Sequence, residues 1–208
     1  NYMCSECHST NVRKNYDYGT KTYNTQWDEI DVSCEACHGP GSRHAAWAAK
    51  PPLARPQVKS AELVVPTAGI TSKAQIALCA PCHSRRFHLG DNPHRTGDVL
   101  DTLVPSLLEE GLYYPDGQIL EEVYVYGSFL QSKMYQNEVR CGDCHDVHSI
   151  KLVKKDNDLC LQCHRANEYD TKAHHFHKIK DEKGAPITSA DGSVLFNVGT
   201  GAECVQCH

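Results

Sequence analysis

The chain has 208 residues, 40% of them hydrophobic and 23% charged, with 12 cysteines, 13 histidines and a formal net charge of −5. The acidic balance argues against nucleic acid as a partner, and no apolar run is long enough to span a membrane. Gly and Pro supply 14 and 10 residues, and 12 of the apolar positions are cysteines, so the polypeptide alone has little from which to build a core.

From the N-terminus, the first recognisable element is Cys4-Ser-Glu-Cys7-His8, and the same pattern returns at Cys34-Glu-Ala-Cys37-His38. Gly39-Pro40-Gly41 then lets the chain turn tightly and carries His44 past the second copy. Residues 51–66 hold four prolines and predict an extended connection over the surface. Residues 71–83 predict a short helix capped by Thr71 or Ser72, with Ile76 and Cys79 on one face and a third copy, Cys79-Ala-Pro-Cys82-His83, at its end. Residues 95–140 are the longest stretch without the pattern. There Leu100, Leu103, Val104, Leu107 and Leu108 fall at helical spacing as far as Gly111. Pro115-Asp116-Gly117 predicts a turn between alternating flanks, the one plausible hairpin, and residues 128–139 predict a helix leading into Cys141. The fourth and fifth copies start at Cys141 and Cys160, only 19 residues apart, so they should be neighbours in space. A second turn, Ser189 to Ser193, precedes the sixth copy, which starts at Cys204.

Six copies of Cys-x-x-Cys-His use every cysteine, leaving no odd thiol and no pair without its histidine. A disulfide framework has no use for the histidine. Zinc sites do not require histidine directly after the second cysteine each time, and a thioredoxin-like motif occurs once, inside a βαβ pattern absent here. The pattern is the attachment sequence of c-type haem, whose vinyl groups bond to the two thiols while the imidazole reaches the iron. The cofactor set is therefore six haem c, held by Cys4, Cys7, Cys34, Cys37, Cys79, Cys82, Cys141, Cys144, Cys160, Cys163, Cys204 and Cys207. Their proximal iron ligands are His8, His38, His83, His145, His164 and His208.

Seven further histidines, His44, His88, His94, His148, His174, His175 and His177, suffice to close six irons from the distal side. His148 lies three residues beyond His145, too near to reach round its own haem, and is assigned to a neighbour, foremost the haem of Cys160 and Cys163. Of His174, His175 and His177, one or two should ligate and one should hydrogen-bond a propionate. Met3 and Met134 read as packing residues rather than thioether ligands.

One haem per roughly 35 residues makes the macrocycles the core. The expected fold is mainly α with much irregular structure and little sheet, in a single hexahaem domain over 1–208. Uneven spacing of the copies argues against a solenoid. Six haems with ionised propionates would bring the net charge to about −11, favouring redox partners with a basic patch. Asn1 is not an initiator methionine and no signal peptide is visible, so the chain reads as processed or partial. Haem c is attached after export, placing the protein in the periplasm or outside the cell.

The runs around Cys4–Asp17, Ser33–His44, Cys79–Arg86, Gly127–Tyr135, Arg140–Ser149 and Ala173–His177 resemble the multihaem cytochromes of the cytochrome c554-related group. They are most similar to large members often fused to tetratricopeptide repeats, which carry further haem motifs on either side, so the chain resembles their middle. The resemblance implies electron transfer through the haems. An enzyme of the nitrite, hydroxylamine or tetrathionate type would keep one iron open, often with lysine for the motif histidine, and no Cys-x-x-Cys-Lys occurs here. A subunit of an extracellular cytochrome filament or of a larger redox complex is a third reading, compatible with the first and entailing self-assembly.

Overall fold

The computed structural model describes residues 2–89 and 97–208, with only the backbone of Tyr2 and Met3, so His94 and the Met3 side chain lie outside the described residues. The chain forms two compact units, ending and beginning at Cys141 and Gly142.

In the first unit, helix α1 (Tyr2–His8) precedes a small ribbon of β1 (Tyr16–Asp17) and β2 (Thr22–Tyr23), then α2 (Cys34–His38) and α3 (Ser42–Ala48). Gly39 ends α2 at φ +69, and a Cβ there would sit 3.3 Å from that of Val64, so both conformation and space call for glycine. The proline-containing segment 51–66 runs extended apart from short 3-10 turns at Pro52–Ala54 and Lys59–Glu62. Ser60, Ala61 and Glu62 all adopt positive φ, a costly run for residues with a Cβ.

Helix α4 (Ser72–His83) follows the expected bounds: the Thr71 side chain accepts from Ala74 N and caps it, and Ile76, Ala77 and Ala80 are buried. Pro81 is tolerated in its last turn. Beyond it β3 (Arg86–His88) pairs antiparallel with β4 (Leu103–Pro105). The helix expected up to Gly111 does not form. Pro105 lacks an N–H and would clash within a helix, while Leu103 instead pairs with His88 and is 1% exposed. A single 3-10 turn, Val99–Asp101, is what remains of that spacing.

The turn at Pro115–Gly117 is present, with Gly117 N donating to Tyr114 O, but its flanks make only the isolated bridge Tyr113↔Ile119. Leu120 N and Glu121 N both turn to Leu112 O, which ends the ladder after one pair. The helix expected over 128–139 is two helices, α5 (Val125–Gln131) and α6 (Lys133–Gln136). Ser132 divides them because it adopts an extended backbone and its Oγ accepts from Tyr135 N as a cap.

The second unit contains the ribbon β5 (His145–Asp146) with β6 (Lys151–Leu152), the short helices α7 (Asp158–Leu161), α8 (Ala166–Tyr169) and α9 (Lys172–His175), and the ribbon β7 (Ile187–Thr188) with β8 (Val194–Phe196). Ribbons thus form at four other places than the hairpin expected from the sequence. The small-helix, little-sheet character is as expected.

Burial is sparse. Val65, Ile76, Ala77, Ala80, Leu103, Tyr113, Val123 and Ala202 are the buried hydrophobic residues among those described. The chain exposes 14961 Å². A compact chain of this mass exposes about 9,700 Å², and two separate compact units of about 15.6 and 7.5 kDa would together expose about 11,500 Å². The polypeptide therefore leaves open a large area that a second material must cover.

Candidate haem sites

Five of the Cys-x-x-Cys-His copies each occupy one helical turn, while the fourth starts in one and ends with His145 in β5. The first lies within α1, the second is α2, the third ends α4, the fifth begins in α7, and the fourth and sixth start in the 3-10 turns Cys141–Asp143 and Cys204–Gln206. His164 N donates to Cys160 O and His208 N to Cys204 O, closing the turn across the motif. Residues i, i+3 and i+4 of such a turn share a face. Two thiols and an imidazole are thereby presented together, which is what attachment at one edge of a flat macrocycle and ligation at its centre require. All 12 cysteines are free thiols, and the motif histidines other than His38 are exposed.

The thiols also reveal which motifs are neighbours. Cys7 and Cys82 share a hydrogen bond, joining the first and third copies, and Cys79 shares one with Cys141, joining the third and fourth. Cys37 is near enough to act electrostatically on both Cys79 and Cys82. Within the first unit, the third copy thus adjoins three others. In the second unit Gln162 Nε2 donates to Asp143 O at 3.0 Å, linking the intervening residues of the fourth and fifth copies, and Cys160 and Cys204 share a hydrogen bond that links the fifth and sixth. The fourth and fifth copies, expected to be neighbours, are thus joined by a side-chain-to-backbone hydrogen bond.

Of the distal candidates, His174 is the most telling. Its ring lies near-parallel to that of His208, with centroids 6.1 Å apart and planes 16° apart. Two imidazoles bound to one metal from opposite sides at about 2 Å, each ring centre roughly 1.1 Å behind its nitrogen, would have centroids about 6.2 Å apart. The spacing of the pair matches that span, and His208 is itself a motif histidine. His44 Nδ1 is 2.7 Å from Ala61 O, inside the strained run, and His38 Nδ1 is 3.5 Å from Val65 O. A carbonyl at Nδ1 is the support that leaves Nε2 free for a metal.

His175 is different. Its Nδ1 accepts from His177 N at 3.1 Å, so the neutral ring carries its proton on Nε2, which is buried without a partner. That nitrogen is a donor awaiting an acceptor. The His177 ring lies over Gly201, where a Cβ would come within 2.8 Å of it, close to the sixth copy. His148 sits in the β5–β6 turn, its N–H bonded to Asp146 Oδ1.

His88 Nε2 lies 2.7 Å from Glu6 Oε2, and Arg86 Nη2 donates to the same oxygen at 3.1 Å, with all three side chains at most 10% exposed. The neighbour at this imidazole is a carboxylate from inside the first motif. Arg86 also reaches Cys7 Sγ at 3.6 Å. The hydrogen bond from Cys82 and the Arg86 charge together pull the Cys7 thiol down to about 6 against its burial. Sequence reading did not single out Glu6, Arg86, Asn157 or Tyr169. Charged residues at motif x positions and an aromatic five residues beyond a ligand are ordinary in sequence and acquire meaning only from their contacts.

Thiol pairs with adjoining histidines, an imidazole pair at metal-spanning distance and an uncovered apolar surface define a multihaem c-type cytochrome, which binds haem c covalently and transfers electrons through it. The family described as cytochrome c554 and c-prime matches residues 1–39, and the doubled CXXCH motif matches residues 135–169. These two matches support a multihaem c-type cytochrome of the c554 group. No curated protein and no solved structure matches it. Among the described residues no helix is long and apolar enough to cross a membrane.

Proposed function

We propose that the chain carries six haem c groups, one at each motif, and conducts electrons along them with its irons closed by second histidines. Haem supplies a one-electron iron centre when bound. The protein's part is to attach, orient and enclose it. The observation that carries this reading is the His174–His208 pair, whose spacing would let the two imidazoles hold the sixth haem between them. His44, supported by the Ala61 carbonyl, is a second distal ligand. His148 ligates the haem of Cys160 and Cys163, a reading supported by the Gln162–Asp143 bond between the two copies. His175 donates its buried Nε2–H to a propionate rather than to an iron.

The neighbour contacts support a route that does not follow sequence order. The third haem is the junction for the first, second and fourth, and the path continues through the fifth to the sixth. The acidic surface suits redox proteins that present basic patches, and haem attachment after export places the protein in the periplasm or outside the cell. Pyridine haemochrome analysis should give six haems per chain. His174→Ala should convert one low-spin iron to a high-spin, carbon monoxide-reactive one. Fewer haems, or an unchanged low-spin spectrum in that variant, would remove the corresponding part of the proposal.

A further inference from the structure

Tyr169 stands between two iron ligands. Its ring centroid is 5.6 Å from that of His164 at 86°, and 5.4 Å from that of His174 at 89°. His164 is the proximal histidine of the fifth copy, and His174 faces His208 of the sixth. Four rings, His164, Tyr169, His174 and His208, therefore form one continuous series.

The backbone that holds Tyr169 is tied to both motifs. Its N–H donates to Arg165 O, next to His164, so the α8 turn sets its height above the fifth copy. Asn157 Nδ2 donates to Asp170 Oδ1 and to Ala202 O, each at 2.9 Å, and Asn157 Oδ1 accepts from Cys204 N at 2.9 Å. One side chain thus joins the residue after Tyr169, the start of α7 and the start of the sixth copy. A ring placed edge-to-face on an imidazole resists rotation of that imidazole about its metal bond, because turning it forces the two rings into contact. The orientation of axial ligands and their outer contacts are among the levers by which a protein tunes a haem.

We infer that Tyr169 is a shared positioning residue, one aromatic ring that sets the imidazole orientation at the fifth and sixth haems together and couples their electronic properties. The inference rests on the proposed ligation of the sixth haem by His174. It requires the ring and not the hydroxyl, since both contacts are made by ring geometry.

The test uses the haem-loaded protein and reads electron paramagnetic resonance and spectropotentiometric titration. Tyr169→Phe should superimpose on the wild type. Tyr169→Leu and Tyr169→Met should keep the haem count while shifting two low-spin signals and two potentials together. Unchanged spectra in both, or a shift confined to one haem, would overturn the inference. Should neither variant load haem, wild-type protein with labelled tyrosine decides by paramagnetic NMR: the Tyr169 ring should be shifted by two irons, and a shift from one alone overturns it. His174→Ala keeps the two ideas apart. A fully low-spin spectrum there removes the ligand assignment, whereas normal high-spin conversion with an inert Tyr169→Leu removes only the positioning role.

Discussion

The haem-free chain should not fold cooperatively. It exposes 14961 Å², about 3,500 Å² more than two compact units of its mass would leave open. With roughly 57% of protein surface apolar, about 2,000 Å² of apolar area lacks cover, corresponding at about 25 cal/mol/Å² to about 50 kcal/mol of absent hydrophobic stabilisation. That is an upper estimate, because the unfolded chain is itself partly compact. It nevertheless exceeds several-fold the net stability of about 5–15 kcal/mol on which a domain survives. The haems must supply the difference through their faces, their thioether links and their irons. The perturbation is expression without the haem-attachment apparatus, under reducing conditions so that the 12 thiols stay free. Far-UV circular dichroism on heating should show a shallow, non-sigmoidal change. Amide exchange should be fast throughout, with at most weak protection in α4, where Ile76, Ala77 and Ala80 are buried. A sigmoidal unfolding transition of the haem-free chain with a protected core would refute the reasoning.

Glu6→Ala should destabilise the holoprotein by about 3–5 kcal/mol in guanidinium titrations, because it leaves the Arg86 charge buried without its partner. A loss below about 1 kcal/mol would show that Arg86 reaches solvent. His148→Ala should leave one iron high-spin with a raised potential, assigned by its effect on the fifth haem, while six unchanged low-spin irons would make His148 an ordinary turn residue. Asp191 is held at about 2 by the Ser189 hydroxyl and the Ser193 N–H and hydroxyl. Its pKa is depressed on folding, so its support of the β7–β8 turn is complete above the ordinary carboxylate range and is lost as pH falls through about 2. A carboxyl NMR titration should follow that course, and titration near the ordinary aspartate value would contradict it.

The Cys-x-x-Cys-His copies are legible from residue order alone, because the motif is local and needs no distant partner. The low content of sheet and the sparse burial among the described residues followed from composition, and α4 followed from its cap and its apolar spacing. The leucine pattern over 98–111 misled because periodicity takes no account of Pro105, and a pairing with β3 offered Leu103 a better burial than a helix could. Ser132 broke a second expected helix by capping its own successor. Relations between remote segments depended on tertiary structure. His174 was one of three equivalent histidines until its ring met that of His208, and His175 was separated from them by a proton fixed through its Nδ1 contact. The adjacency of the third motif to the first, second and fourth, like the place of Tyr169 between His164 and His174, belongs to chain packing. The His174–His208 contact and the motif adjacencies join residues tens of positions apart, where sequence spacing carries no information about direction or distance.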